Sequence, residues 1–433
     1  MVDPPFLSLK LVGIYSGRGS CRSGTDRPPE KGPVRLIAMT DAAAGSCVVF
    51  DDRLIEYNFG IGHPMAPVRV DLTMRLADEF GLIGDGGLRK IGAAAADDDT
   101  LATVHTPAYI EAVQAIKSVG DKNLAVGLGT EDNPTFAHMH EASALIAGAT
   151  IEAARQVWTG EAKHAINVSG GLHHAMPGLA SGFCIYNDVA LSIAWLLANG
   201  AERVAYVDVD AHHGDGVQAV FYDDPRVLTV SIHEGPQTLF PGTGLPSEVG
   251  GEGAEGSSVN IALPPGTGDA GWLRAFHAVV PDVVREFAPD VLVTQQGCDS
   301  HMDDPLTHLM LSVDGQRASY LALRDLANEL CGGRWVATGG GGYAVLDVVP
   351  RAWTHLLAIV ADRPIDPHAA TPQKWQARIA ELKGKPGPSR MTDGRSVAYH
   401  DWTSGYDPAS WLDRSILAAR KEIFPLHGLD PMP

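Results

Sequence analysis

Residues 204–216 read VAYVDVDAHHGDG, and the fold is decided here. The first half is a short Val-rich run with no charge before Asp208, the pattern of a strand buried on both faces of a parallel sheet. The second half crowds Asp208, Asp210, His212, His213 and Asp215 into the loop that follows. Working outward, AINVSG at 165–170, VLTVSI at 227–232, VLVTQQ at 291–296 and WVATG at 335–339 repeat the short buried-strand pattern. Between these runs, Ile185, Val189, Ile193 and Leu197 recur every three to four residues, as do Trp272, Phe276, Val280, Val283 and Phe287. That spacing puts apolar groups on one face of a helix. Strands alternating with such helices predict an α/β protein with a doubly wound, mostly parallel central sheet and helices on both faces. Nothing repeats at a fixed period and no linker interrupts 47–363, so this region is expected to form a single domain.

In an open parallel sheet the loops at the carboxyl ends of the strands converge, so polar residues there can be tested by position. AINVSG runs into GGLHHA with His173 and His174, and VAYVDV runs into the acidic and histidine-rich loop quoted above. VLVTQQ runs into GCDSHMDDP with Asp299, and WVATG runs into GGGGY with Tyr343. Any one of these residues alone is commonly a satisfied structural group. Two histidine pairs, several acids and a tyrosine on one edge of one sheet are the constellation of an active site. A catalytic divalent cation takes three protein ligands and keeps one position open, and imidazole with carboxylates suits Zn²⁺ or Fe²⁺. Asp210, His212 and Asp299 meet that count.

Composition narrows the classes further. The 433 residues carry a formal net charge of −19, which disfavours direct nucleic-acid binding and favours cationic partners. No apolar run approaches the roughly 20 residues needed to cross a bilayer, and the N-terminus lacks a secretory pattern, so a cytoplasmic protein without membrane association is expected. Five scattered cysteines without CxxC spacing predict reduced thiols and no disulfide framework. Residues 1–46, rich in Gly, Ser, Pro and Arg, read as a disordered leader. Residues 364–433 carry several Trp and Tyr and read as a C-terminal appendage packed on the domain or on a partner subunit, which leaves oligomerisation open.

GGLHHA, SGFCIYND, DVDAHHGDGV, FPGTG, GCDS and GGGGY together resemble the histone deacetylase family of the arginase/deacetylase fold, over roughly residues 48–361. Within that family the chain is most similar to a class I-like bacterial branch associated with acetoin utilisation, and FPLHGLDP near its end resembles that branch too. The resemblance implies a zinc-dependent hydrolase that removes the acetyl group from acetylated lysines of a protein or peptide, an acyl-CoA synthetase among them. It implies a cation at Asp210, His212 and Asp299 that activates water, with His173 paired to Asp208 and His174 to Asp215. Which histidine is the general base stays open. Tyr343 would donate to the oxyanion; Gly182, Phe183 and Phe240 would line the channel for the lysine stem; Asp132 in TEDNP would hold the substrate backbone at the rim. Arg69, in GHPMAPVR, falls where the family lines an internal acetate path, a buried salt bridge being the other reading. Asp208, Asp210, His212, Ser231 and Ile232 correspond to a structural potassium site, with a second near Phe221 and Val227.

Three competing readings follow. A small acetylated amine such as an acetylpolyamine would use the same chemistry. Leu306 argues against it, because polyamine-selective relatives carry an acid there, although Asp303 and Asp304 lie close by in sequence. A binuclear Mn²⁺ ureohydrolase of the arginase type would need a further bridging acid where Ser300 and His301 stand. A degenerate binding module would lack a ligand or the tyrosine, and none is missing.

Overall fold

The computed structural model describes residues 45–433. Eight strands follow one another along the chain: β1 Cys47–Val49, β2 Arg89–Ile91, β3 His164–Asn167, β4 Val204–Asp208, β5 Val227–Glu234, β6 Ser258–Leu263, β7 Val291–Gln295 and β8 Trp335–Thr338. They form one sheet in the order β2-β1-β3-β8-β7-β4-β5-β6. Every neighbouring pair is parallel, so the sheet is wholly rather than mostly parallel. All carboxyl ends therefore point to one edge, and β3, β8, β7 and β4 sit side by side at its centre.

Two layers of helices cover this sheet. Met139–Trp158 packs on β1, β3 and β8 and also against Asp188–Ala198, which lies on β4 and β7. The other layer runs Asp269–Phe287, Val313–Leu330 and Val349–Val360, each packed on the next. The apolar residues expected at 185–197 fall in helix Asp188–Ala198, except that Ile185 precedes it because the Asn187 side chain caps the start by accepting from Ala190 N. The strand in AINVSG ends at Asn167, three positions early. β1 and β2, three residues each, and β6 are absent from the sequence reading. In β6 the Ser258 and Asn260 side chains are buried on Gln218, so a core strand carries polar residues and reads as loop.

The expected leader falls, except for residues 45 and 46, outside the described residues, as does Cys21. Cys47, Cys184, Cys298 and Cys331 are free and buried. Among the described residues no helix is long and apolar enough to cross a membrane. After residue 364 the chain folds back onto the body. Trp375, Ile379 and Met391 bury themselves against Leu72 and Leu76. Helix Trp411–Ile423 lies on β6 and on helix Asp269–Phe287, where Asp413 pairs with Arg274 at 2.9 Å and both side chains are nearly buried.

Candidate active site and metal centre

Two residues past the end of β4, Asp210 turns back towards the loop after β7. Donor atoms of Asp210, His212 and Asp299 lie within 4.8 Å of one another, all three residues being buried. His212 Nδ1 stands 3.1 Å from Asp210 Oδ1 and 2.9 Å from Asp299 Oδ2. Main-chain N–H groups complete the cradle: Ala211 N donates to Asp299 Oδ1 at 2.8 Å and Gly341 N to Asp210 Oδ2 at 2.8 Å. Position 341 must be glycine, since a Cβ there would sit 2.1 Å from Asp299 Oδ2. Among the described residues neither carboxylate has a Lys or Arg partner; their ion-pair neighbours are histidines. Two buried carboxylates facing one imidazole demand a compensating cation, and the donor set fits a divalent one. Burial and the charge of Asp210 push Asp299 above the usual carboxylate range.

The loop after β3 brings in two histidine–aspartate pairs. His173 Nδ1 donates to Asp208 Oδ2 and His174 Nδ1 to Asp215 Oδ1, each at 2.7 Å. The two Nε2 atoms face each other at 3.0 Å, so at most one proton can lie between them. Burial opposes a charge on His173, but Asp208, Asp210 and Asp215 outweigh it and hold the ring at about 9. For His174, burial and the neighbouring charge of His173 win over Asp215 and lower it to about 4.

His174, His212 and Tyr343 form the floor of a cleft of about 200 Å³ that is also lined by Asp132, Gly182, Phe183, Leu239, Phe240 and Leu306. His173 does not line it. A Cβ at Gly182 would lie 2.4 Å from the His174 ring, so glycine lets the wall close on the histidine. Phe183 meets Tyr343 edge to face at 5.7 Å, and Phe240, 43% exposed, meets His174 the same way at 5.0 Å. Burial raises the Tyr343 hydroxyl well above its ordinary value, so it stays a donor. The loop carrying Tyr343 is held by Asp304, whose Oδ2 accepts Tyr343 N at 2.8 Å and whose Oδ1 accepts Leu306 N at 3.0 Å. Asp304 is thus turned inward and committed, while Asp303 is exposed and away from the cleft lining.

Arg69 is buried and, among the described residues, makes no ion pair, so the salt-bridge reading does not hold. Its guanidinium donates to Gly342 O at 3.0 Å and lies 4.9 Å from the Trp353 ring centre, behind Tyr343. Asp208, at the end of β4, is the register partner of Ser231 within β5, with Ile232 following. Phe221 closes helix Asp215–Phe221, and Val227 opens β5 at the far end from Ser231.

Several residues absent from the sequence reading hold this site. Tyr206 donates to Asp208 Oδ2 at 2.5 Å, and Gln295 Nε2 donates to Asp210 Oδ2 at 2.8 Å. Both lie inside the conspicuous runs, Tyr206 two residues before Asp208 and Gln295 at the end of β7, and alternation, which puts Tyr206 on the same face as Asp208, was the available signal. Tyr57 Oη donates to Phe183 O at 2.7 Å and accepts from Ile185 N, fixing the loop that presents Phe183. His63 accepts from Met65 N at Nδ1, donates from Nε2 to Asp132 O at 3.2 Å and packs on Phe183. Leu239 lines the cleft beside Phe240.

Histone deacetylase domains of known proteins match residues 63–360 of this chain. The chain belongs to the histone deacetylase family, and its fold is that of the family's solved homologue. Its sequence is 43% identical over 333 residues to acetoin utilization protein AcuC of Bacillus subtilis (strain 168), covering 76% of this chain and 85% of that one. Against AcuC of Staphylococcus aureus (strain MRSA252) the identity is 37% over 351 residues, covering 80% and 90%. The crystal structure of an HDAC homolog from Aquifex aeolicus aligns with a TM-score of 0.74 at 28% identity, covering 87% of this chain and 99% of that one.

Proposed function

We propose that this chain hydrolyses the acetyl amide of acetylated lysine side chains in a protein, with one divalent cation held by Asp210, His212 and Asp299. The observation that carries the reading is the narrow cleft walled by Gly182, Phe183, Phe240 and Leu306 and floored by His174, His212 and Tyr343. An apolar passage suits the methylenes of a lysine stem and delivers the amide to the polar floor. When bound, a divalent cation supplies Lewis-acid polarisation of the acetyl carbonyl and lowers the pKa of water beside it. His174, neutral and oriented by Asp215, takes the proton from the attacking water at Nε2 as that nitrogen turns from His173 to the water, and passes it to the lysine amine as the C–N bond breaks. Tyr343 donates its hydroxyl to the developing oxyanion. His173, held cationic by Asp208, stabilises that negative charge without entering the cleft. Arg69, unpaired behind Tyr343, is suited to hold the acetate product.

Zn²⁺ and Fe²⁺ both suit two carboxylates and an imidazole. A structural K⁺ near Asp208, Asp210, His212, Ser231 and Ile232 is part of this reading, since Asp208 at the end of β4 lies opposite Ser231 within β5. An acetylated acyl-CoA synthetase, expected from the family resemblance, is the protein substrate to test, in the cytoplasm. Asp132 favours a second reading, a small acetylated polyamine, because it is the one exposed acid lining the cleft. Leu306 and the committed Asp304 leave the rest of the mouth without a partner for a second ammonium. Steady-state kinetics with an acetyl-lysine peptide and acetylspermidine decide. The peptide is expected to win by at least about tenfold in kcat/KM, roughly 1.4 kcal/mol of discrimination. Equal or better efficiency with acetylspermidine sinks the lysine reading. Elemental analysis checks the centre: one catalytic ion per chain is expected, lost in Asp299→Ala, and two ions would favour the binuclear chemistry.

A further inference from the structure

We propose that Asp393, in the C-terminal segment, is a positioning residue of the active site, fixing the loop that carries Asp299 relative to the loop that carries Tyr343. The inference rests on the roles given to Asp299 and Tyr343 above. Asp393 itself lines no part of the cleft, nor does any residue after 364, so its action runs through the groups it holds.

Those groups belong to both loops. His301, buried two residues beyond Asp299, accepts from Asp303 N at Nδ1, which puts its ring proton on Nε2; that nitrogen donates to Asp393 Oδ2 at 2.9 Å. The same oxygen accepts Val313 N at 2.8 Å, where helix Val313–Leu330 leaves the loop. On the other side, Asp393 Oδ1 pairs at 2.8 Å with Arg351, a buried arginine of helix Val349–Val360, the first helix after Tyr343. One carboxylate therefore ties the loop after β7 to the helix that anchors the loop after β8. Within that frame His301 O accepts Asp304 N at 2.9 Å, and Asp304 holds Tyr343 N. The clamp is itself seated: Asp314, in the first turn of helix Val313–Leu330, accepts Asp393 N at 3.1 Å and the Thr392 hydroxyl. The Asp393 carboxylate receives three donors and offers none. An amide in its place must turn its NH₂ group towards one of them, so Asp393→Asn loosens the tie at nearly constant volume. Partners bonded directly to metal ligands commonly cost about 10- to 100-fold in activity or metal affinity when changed, and Asp393 acts one step further out, so the lower end of that range is expected.

The test compares Asp393→Asn with Asp413→Asn, which breaks the Arg274 pair elsewhere in the same segment, in the full-length holoenzyme and in Co²⁺-substituted protein. Asp393→Asn is expected to lower kcat at least about tenfold with KM changed less than about twofold, and to shift the visible Co²⁺ ligand-field bands. Asp413→Asn is expected to lower the melting temperature while leaving kcat and the bands unchanged. A second pair guards against a variant that fails to fold. His301→Gln, which keeps a donor, should retain most of kcat; His301→Leu should match the Asp393→Asn loss, and combining the two should cost no more than either alone. Unchanged Co²⁺ bands and kcat in Asp393→Asn, or additive losses in the double variant, overturn the proposal. The spectral readout needs no turnover, so an inactive wild type would count against the deacetylase reading alone.

Discussion

His173 and His174 are neighbours in the chain and each gives its Nδ1 to an aspartate at 2.7 Å, yet they hold protons in opposite ways. Burial acts against charge on both. His173 has three carboxylates around it, Asp208, Asp210 and Asp215, and is raised to about 9. For His174 the positive His173 is the largest influence after burial, ahead of Asp215, and the ring is lowered to about 4. The pair motif alone therefore does not assign a role. Its surroundings do, and they leave the neutral ring on the cleft floor and the cationic ring behind it.

The comparison breaks most visibly at His174. His174→Ala should cut kcat about 10³- to 10⁴-fold with metal content unchanged, because it removes the proton carrier and no ligand. Stopped assays with parallel elemental analysis measure both. Tyr343→Phe should cost about 10²- to 10³-fold by deleting one oxyanion donor. Since it belongs to neither pair, the acid limb of its kcat–pH profile should coincide with that of wild type. His173→Gln should cost about 10²-fold, the loss of an electrostatic contribution without loss of the base. It also carries the sharpest pH prediction. A base lowered to about 4 needs more acid to become protonated, so wild-type kcat should stay level below neutral pH and fall only as pH approaches that value. Removing the His173 charge relieves part of the lowering, so the acid limb of His173→Gln should move to higher pH. An unmoved limb would mean that His173 carries no charge in the working enzyme. The smallest effect is at the mouth. Leu306→Glu should shift the ratio of acetylspermidine to acetyl-lysine efficiency about tenfold towards the polyamine while both histidine pairs keep their behaviour.

The sheet was legible in the sequence wherever a strand was apolar and ended in a conspicuous loop. β4, β5, β7 and β8 are continuous buried runs, and the residues beyond them converge because a parallel sheet aligns its carboxyl ends. What stayed hidden has two physical causes. Polar core groups such as Asn260 and Tyr206 take their meaning from partners elsewhere, so local pattern gives them no signal. Main-chain donors and distant side chains meet only in space: Gly341 N reaches Asp210 across 131 residues, and Asp393 reaches His301 across 92. Arg69 illustrates the limit from the other direction. Its partners are the Gly342 carbonyl, the Met65 sulfur and the Trp353 ring, none of which a charge pattern anticipates.

At Gly341 the wall behind the carboxylates is bare main chain, where even one methyl would collide with Asp299. Such a wall cannot be retuned by mutation, because no side chain can be placed there without displacing Asp299. Heritable change in what this enzyme accepts is thereby confined to the opposite rim, to Phe183, Phe240, Leu239 and Leu306, whose side chains face the incoming substrate. The chemistry can stay fixed while the clientele drifts.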